Sequence, residues 1–303
     1  MSSRKDIEMK ILCITLLTAC LALAGSTQAK VKIVASSSDL ASIATYIGKD
    51  LIEVTSIGQG KSNLHFVEVL PSYMLKVSKA DIYLRIGLSL DQWAQGVIDG
   101  ARNPKLIVVD CSKGIEVLDK PSGKVDASMG DLHPEGNPHY WLDPRNGKAI
   151  AANIVEALVT VDPANAATYR ANLEAFNAQI DTKWIEWEQE AAGLQGAEVI
   201  TYHSTFAYLA HAFGFSVVGF IEPKPGIEPT AAHNSELIDL IKSRHIKAIL
   251  RDPYYTARAP DAIARATGAT VYEAPSSVGG TIEARDYVSL FDALVGILVK
   301  GVK

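Results

Sequence analysis

The stretch "VKIVASSSDLASIATYIGKDLIEVTSI", residues 31–57, decides the fold class of this chain. The β-branched run at 31–37 predicts a strand. Apolar residues then recur with helical spacing over 39–48, a segment that Asp39 can begin and a glycine can end. The run at 51–57 predicts a second strand. A strand, a helix and a strand in this order indicate an α/β protein with parallel strands.

The alternation of strands and helices continues in two series. The first predicts further strands at "DIYLRIG" (81–87) and "KLIVVD" (105–110). The second begins with "AEVITYH" (197–203) and ends with "ATVYEA" (269–274), with helical segments between its strands. The sequence therefore predicts an α/β fold of two lobes, each a mostly parallel sheet flanked by helices.

A single long helix is predicted between the two lobes. Asp162 can cap its start, Pro163 suits its first turn, and Gly193 can end it. Apolar side chains recur along it at spacings of four and three, namely Tyr169, Leu173, Phe176, Ile180, Trp184, Trp187 and Ala191. This stripe indicates a rigid backbone helix that packs along both lobes.

The predicted organisation has four parts. Residues 1–29 form a signal peptide, 30–145 the N-terminal lobe, 146–194 the connecting helices with the long backbone helix, and 195–303 the C-terminal lobe. Three basic residues among the first ten precede the 14-residue apolar run "ILCITLLTACLALA", which is typical of a signal for export to the periplasm, with cleavage after Ala29. The segment "LTAC" leaves a lipoprotein anchor through Cys20 as an alternative.

Composition limits the classes of function. The 303 residues are 48% hydrophobic and 21% charged with a net charge of −5, which is typical of a globular protein and argues against a nucleic-acid partner. Removal of the signal leaves Cys111 as the single cysteine. We therefore expect a buried, inert thiol with no intramolecular disulfide.

Three histidines follow predicted strands or lie at a lobe edge. His65 lies in "GQGKSNLHFVEVLPS", His139 in "GNPHYWLDP", and His203 ends "AEVITYH". Ligands of open α/β sheets bind outside the carboxyl ends of the strands. Two of these imidazoles come from the first lobe and one from the second, so they could converge in the cleft between the lobes.

Six segments in order carry a resemblance to a known family. They are "NLHFVEVLPS", "KADIYLRIGLSLDQW", "GNPHYWLDP", "DPANAATYRANLEAF", "YHSTFAYLAHAFGF" and "GGTIEARDYVSLFDAL". The chain resembles the periplasmic metal-binding proteins of zinc and manganese ABC importers, the ZnuA/TroA-like cluster. The resemblance implies two lobes joined by a rigid helix and one metal in the cleft, held by His65, His139 and His203. It also implies a solute-binding protein rather than an enzyme, which hands a divalent metal to an inner-membrane ABC permease. We expect a monomer.

The fourth ligand is the open point of this comparison. The family usually supplies an Asp from a turn that here reads "YEAPSSVGG" and contains none. Asp252, at the end of the preceding strand, is the preferred candidate, with Glu273 or water as alternatives. Three imidazoles with at most one carboxylate favour Zn²⁺, although Mn²⁺ is possible and copper or nickel would also bind.

Other polar residues have simpler interpretations. Asp131, His133 and Glu135 lie in a short loop that is either solvated or an accessory metal site. Asp143 is a candidate helix cap or a group that orients an imidazole. Of the remaining histidines, His211 is predicted to be structural. His233 is predicted to lie at a helix start, and His245 at a solvated helix end.

Two alternative functions stay open. A secreted zinc hydrolase would need an open metal position and a general base, and no H-E-x-x-H pair occurs in the sequence. A lipid-anchored surface adhesin is compatible with an anchor at Cys20, although no motif indicates it.

Overall fold

Two parallel four-stranded sheets form the centre of the fold. The structure is a computed structural model that describes residues 29–123, 130 and 133–302. In the N-terminal sheet the order is β2-β1-β3-β4, with β1 Val31–Ala35, β2 Ile52–Ser56, β3 Ile82–Arg85 and β4 Ile107–Asp110. The C-terminal sheet repeats this order as β6-β5-β7-β8, with β5 Glu198–Thr201, β6 Ser216–Phe220, β7 Ala248–Arg251 and β8 Thr270–Glu273. The prediction of two α/β lobes is confirmed.

Helices cover the faces of both sheets. The first lobe carries α1 Ser38–Gly48, α2 Pro71–Val77 and α3 Trp93–Ala101. The connecting region carries α4 Asn146–Val161 and α5 Ala166–Glu190, and the second lobe carries α6 Ala207–Phe213, α7 Ala231–Arg244, α8 Arg258–Thr267 and α9 Tyr287–Val302. None of the helices in the described ranges has the length and apolar character needed to cross a membrane. Residues 1–28 of the predicted signal peptide, which include Cys20, lie outside the described residues.

Helix α1 shows how local sequence determines an element. Ser37 precedes it with extended backbone, and its hydroxyl accepts a hydrogen bond from the N–H of Leu40 at 3.3 Å, as an N-cap should. Leu40, Ile43 and Ile47 lie on one face and are fully buried. The helix begins at Ser38, one residue before the predicted start at Asp39, because Ser37 rather than the aspartate supplies the cap.

The long backbone helix is present and begins with a tighter turn than predicted. Short 3₁₀ turns at Pro163–Asn165 and Ala191–Leu194 flank the α-helical part. Asp162 makes no side-chain cap to this turn, which corrects the prediction. Its carboxylate instead accepts hydrogen bonds from the Tyr169 hydroxyl at 2.7 Å and from the Asn165 side chain at 2.8 Å.

The apolar stripe of α5 packs against both lobes. Phe176 contacts Tyr46 of α1 and Tyr287 of α9, with ring centroids 5.1 and 6.2 Å apart. Further along, Trp184 lies 5.3 Å from Phe213 of α6, and Trp187 lies 5.3 Å from Phe291 of α9. One continuous apolar core therefore includes α5 and parts of both lobes. The prediction that the helix packs along both lobes is confirmed.

A set of contacts joins the lobes next to the cleft. The Trp141 indole N–H donates to the Ser276 carbonyl at 2.9 Å, and the Val278 N–H donates to the Asp39 carboxylate at 2.8 Å. Gly60 lies directly against the backbone of Gly279, where a side chain would collide. The turn after β8 is therefore held by residues of the first lobe.

Candidate metal centre

Three imidazoles converge at the cleft. The candidate ligand atoms of His65, His139 and His203 all lie within 4.8 Å of one another. The ring centroids are 5.3 Å apart for His65 and His139, 5.1 Å for His65 and His203, and 5.3 Å for His139 and His203. The structure thus brings together the three histidines that the sequence pointed to.

His65 is presented by the loop between β2 and α2. Leu64 is buried beside it, and the Trp93 indole N–H donates to the Leu64 carbonyl at 2.8 Å. The His65 N–H donates to the Asn63 side chain at 3.0 Å. These contacts fix the backbone on both sides of the imidazole, which itself stays partly exposed at the cleft.

His139 is fixed by its own neighbour in the sequence. The Asn137 side-chain oxygen accepts from the His139 backbone N–H at 3.0 Å and lies 2.9 Å from its Nδ1. An amide oxygen can only accept, so the proton must lie on Nδ1 and Nε2 keeps its lone pair. The Asn137 amide nitrogen donates to the Ser204 carbonyl at 2.9 Å, which ties the loop to the second lobe.

His203 follows β5 and meets a buried carboxylate. Its Nδ1 lies 2.9 Å from Oε2 of Glu222, and both side chains are almost completely buried. Its Nε2 is buried and has no hydrogen-bond partner among the residues that the structure describes. Buried polar atoms are normally satisfied, so this nitrogen points to a ligand that is not part of the chain.

The spacing of two of the nitrogens fits a small dication. Nε2 of His65 lies 3.3 Å from Nε2 of His139. Two nitrogens that each bind a tetrahedral zinc at 2.0–2.1 Å lie about 3.3 Å from each other. With the Nδ1 proton of His139 held by Asn137, the lone pair on its Nε2 faces Nε2 of His65, and a cation bound by both rings would lie between these two atoms.

Burial favours the neutral form of His139. Burial, and then the neighbouring rings of His65, His203 and His133, lower the pKa of His139 well below its usual range. A neutral imidazole is the form that binds metal. Burial also raises the pKa of the nearby Asp252 carboxyl, although hydrogen bonds and His203 oppose this rise.

The two acidic candidates for a fourth ligand are placed differently. Asp252 is fully buried, and its oxygens are 3.3 Å from the Thr205 hydroxyl and 3.2 Å from the Tyr254 hydroxyl. It does not belong to the group of mutually close ligand atoms found in the described ranges. Glu273 forms an ion pair with Arg251 at 2.5 Å and is half exposed.

His133 of the loop before the motif also reaches this centre. Its Nε2 lies 3.3 Å from Nδ1 of His65, and it is 7% exposed. Glu135 is exposed and accepts from the Ser89 hydroxyl at 2.7 Å, whereas Asp131 lies outside the described residues. An entirely solvated loop is therefore the wrong description for His133, because the ring packs against a candidate ligand.

The remaining polar candidates lie away from the centre. Asp143 pairs with Arg145 at 2.7 Å at the start of α4, so the residue that orients His139 is Asn137 and not Asp143. His211 is exposed on α6, His233 is in the first turn of α7, and His245 ends α7. Cys111 is a buried free thiol, as predicted.

Two cavities border the histidines. One of about 510 Å³ is lined by His133, Asn137, His203 and Glu222 and by the segment Pro223–Pro225. The other, of only about 10 Å³, lies between His65, His139, Trp141, Tyr254 and Ser276–Ser277. The larger one offers a path for an ion, whereas the smaller one has room for about one water molecule.

Sequence reasoning missed two residues that support the centre. Asn137 stands two positions before His139, the spacing at which an Asx side chain turns back on its own backbone. Glu222 stands at the end of the strand that pairs with β5, and position at a carboxyl strand end was the available signal.

Comparisons with known proteins agree with this geometry. Residues 33–301 match the profile of the family described as zinc-uptake complex component A, periplasmic. The iron-binding protein YfeA of Yersinia pestis is 26% identical over 91% of this chain and 87% of its own. The manganese-binding lipoprotein MntA of Halalkalibacterium halodurans is 28% identical over 72% of this chain and 69% of its own. A crystal structure of ZnuA superposes with a TM-score of 0.80 at 26% identity, covering 91% of this chain and all of the other.

Two lobes on a rigid helix, with imidazoles between them, define an extracytoplasmic metal-binding protein of the substrate-binding class. The chain belongs to the family of zinc-uptake complex component A, since the profile matches nearly all of the described fold. It is therefore the substrate-binding component of an ABC metal importer and not an enzyme, and the metal is its cargo.

Proposed function

We propose that the protein captures one Zn²⁺ ion through Nε2 of His65, His139 and His203 and delivers it to an inner-membrane permease. The observation that carries this proposal is the buried, unpartnered Nε2 of His203 facing two imidazoles whose own Nε2 atoms are 3.3 Å apart. Three nitrogens held in this way present their lone pairs to one point, which is what a cation site requires.

The chemistry of the donors supports zinc. Relatives of this chain carry names that refer to iron, manganese and zinc, so kinship alone does not choose the metal. Manganese prefers more oxygen donors, whereas zinc accepts a shell of three imidazoles and one further ligand. Mn²⁺ is the second candidate and should bind more weakly.

Asp252 remains our candidate for the fourth ligand. It is buried close enough to His203 for the ring to influence its pKa, and it would have to leave Thr205 or Tyr254 to bind the ion. Water in the small cavity beside His65 and His139 is the alternative. The Asp252→Asn variant separates the two, because loss of a direct ligand weakens zinc binding far more than loss of a distant charge.

Location and partner follow from the same proposal. The basic and apolar start of the chain favours export through a signal peptide at 1–29, and an anchor at Cys20 is the alternative. A monomer would present both lobes to a permease, so that the cleft opens toward the transport path.

A metal titration tests the proposed function. The protein is freed of metal with a chelator, and thermal unfolding is followed while Zn²⁺ or Mn²⁺ is added. Zinc at 100 times its dissociation constant should stabilise the native state by about 2.7 kcal/mol, with one equivalent bound.

Two variants complete this titration. His139→Ala should abolish the zinc-dependent stabilisation, whereas His211→Ala, which removes an exposed imidazole on α6, should leave it unchanged. Equal zinc-dependent stabilisation of the wild type and the His139→Ala variant would refute the proposal.

A further inference from the structure

We propose that Glu222 positions His203 for the metal and supplies the negative charge that a shell of three imidazoles lacks. This inference rests on the proposed function, since it concerns how the same centre binds its ion. It assigns a role to a residue that contacts the metal only through another side chain.

The contact itself defines the form of His203. The Glu222 carboxylate lies 2.9 Å from Nδ1, within a pair whose side chains are 4% and 6% exposed. A carboxylate oxygen accepts, so the proton is held on Nδ1 and the lone pair is fixed on Nε2, the atom without a partner among the described residues. A carboxylate behind an imidazole also makes the ring a stronger donor to a metal.

The register of the sheet produces this contact. Strands β5 and β6 pair Val199 with Val217, but the register then shifts by one residue, so that Ile200 pairs with Gly219 and Thr201 with Phe220. Continued in the same register, His203 lies beside Glu222, and the bond from the Glu222 N–H to the Tyr202 carbonyl at 3.0 Å shows that the pairing extends this far.

Without the shift, a different residue would lie beside His203. The earlier register would place Ile221 there, and because side chains alternate along a strand, Glu222 would then point to the opposite face. Irregularities of this kind commonly re-aim a side chain next to a functional site. Ile221 is instead fully buried in the core, and the carboxylate faces the metal centre.

Glu222 is held in place by its own segment. The Gly226 N–H donates to Oε2 at 3.2 Å, and prolines at 223 and 225 restrict the backbone that follows. The carboxylate therefore keeps its position when His203 binds an ion.

The charge argument distinguishes Glu222 from the other partners of the histidines. The partner of His139 Nδ1 is the side-chain amide of Asn137. The partner of His65 Nδ1 is the imidazole of His133. Glu222 differs from these two partners because it is a carboxylate. A dication bound by neutral rings is stabilised by a fixed negative charge one ring away.

Three variants test this inference in the metal-free and zinc-loaded protein. Glu222→Gln keeps an oxygen acceptor but removes the charge, and Glu222→Leu removes both. Glu228→Gln is the matched control, because it makes the same change at an exposed position of the same segment. Zinc affinity is measured by competition with a chelating dye, and the His203 tautomer is measured by nitrogen NMR without metal.

We expect Glu222→Gln to weaken zinc binding about 10-fold and to keep the Nδ1–H tautomer, and Glu222→Leu to weaken it about 100-fold and to lose that tautomer. Unchanged affinity in both variants, or an unchanged tautomer in Glu222→Leu, would overturn the inference. If Glu222→Leu does not fold, the affinity of Glu222→Gln against Glu228→Gln decides. Failure of the wild type to bind zinc refutes the proposed function, whereas the metal-free tautomer still tests the positioning role by itself.

Discussion

A buried carboxylate at the junction of the lobes makes the stability of this protein depend on pH. Asp39 in the first turn of α1 is fully buried and accepts the Val278 N–H of the opposite lobe at 2.8 Å. Burial raises the pKa of Asp39 from 3.8 to about 6, and the bond from Val278 opposes only part of this rise. The perturbation that exposes the effect is Asp39→Asn, which keeps an oxygen acceptor for Val278 and removes the charge.

The magnitude follows from the rise in the pKa of Asp39 to about 6, which is equivalent to about 3 kcal/mol. The folded state favours the protonated carboxyl, so this contribution to the free energy of unfolding is fully present below about pH 4 and is lost as the pH rises through about 6. Between about pH 5 and about pH 7.5 the wild type should lose about 1.4 kcal/mol that the variant does not lose.

Urea unfolding of the metal-free protein at several pH values measures this difference. Other titrating groups are common to both proteins and cancel, so the Asn variant should gain stability over the wild type as the pH rises. Asp50→Asn removes an exposed carboxylate in the turn after α1 and is the matched control for loss of a charge without loss of a buried group. A flat difference for Asp39→Asn would refute the reasoning about burial.

Two further pairs of substitutions, each a test and its control, examine the packing that holds the lobes. Phe176→Ala deletes a ring that lies between α1 and α9 and is 1% exposed. It should lower the free energy of unfolding, measured in urea, by about 3–5 kcal/mol. The control Ile185→Ala changes a side chain of α5 that is 56% exposed, and should alter the free energy of unfolding by less than about 0.5 kcal/mol. Equal losses would show that α5 is not anchored by its apolar stripe. Gly60→Ala places a methyl group against the backbone of Gly279, and should cost about 1–3 kcal/mol in thermal or urea unfolding, whereas Gly193→Ala meets open space and should be tolerated. An unchanged stability of Gly60→Ala would contradict the close approach of the two turns.

Much of the fold could be predicted from local patterns. The hydrophobic periods of strands and helices differ, so the alternation that begins at Val31 and resumes at Glu198 predicted both lobes. The spacing of apolar residues from Tyr169 to Ala191 predicted the long helix. The cap at Asp162 was wrong, since its side chain makes no cap bond and its Oδ2 instead accepts from the side chains of Asn165 and Tyr169. Which donors this carboxylate meets depends on the packing of the first helical turn.

The candidate site was predictable only in part. Histidines at strand ends are visible in a sequence, and their order together with the resemblance to a known family led to His65, His139 and His203. The groups that orient them are visible only through tertiary structure, since Glu222 reaches His203 through a one-residue change in strand register that no pattern of hydrophobicity reports. Asp143 was a reasonable candidate for orienting His139, but Arg145 lies close enough in the chain to take its carboxylate.

The distribution of the core limits how this protein can release its metal. The three histidines come from the first lobe, from the segment before α4 and from the second lobe, so an ion bound by all three would join parts that α5 already holds together. Separating the lobes as rigid bodies would expose Phe176 and Trp187, each 1% exposed, at a cost of several kcal/mol. Local changes cost less, because the loop with His65 is partly exposed at the cleft. Release should therefore begin with movement of this loop, while α5 and the sheets stay in place.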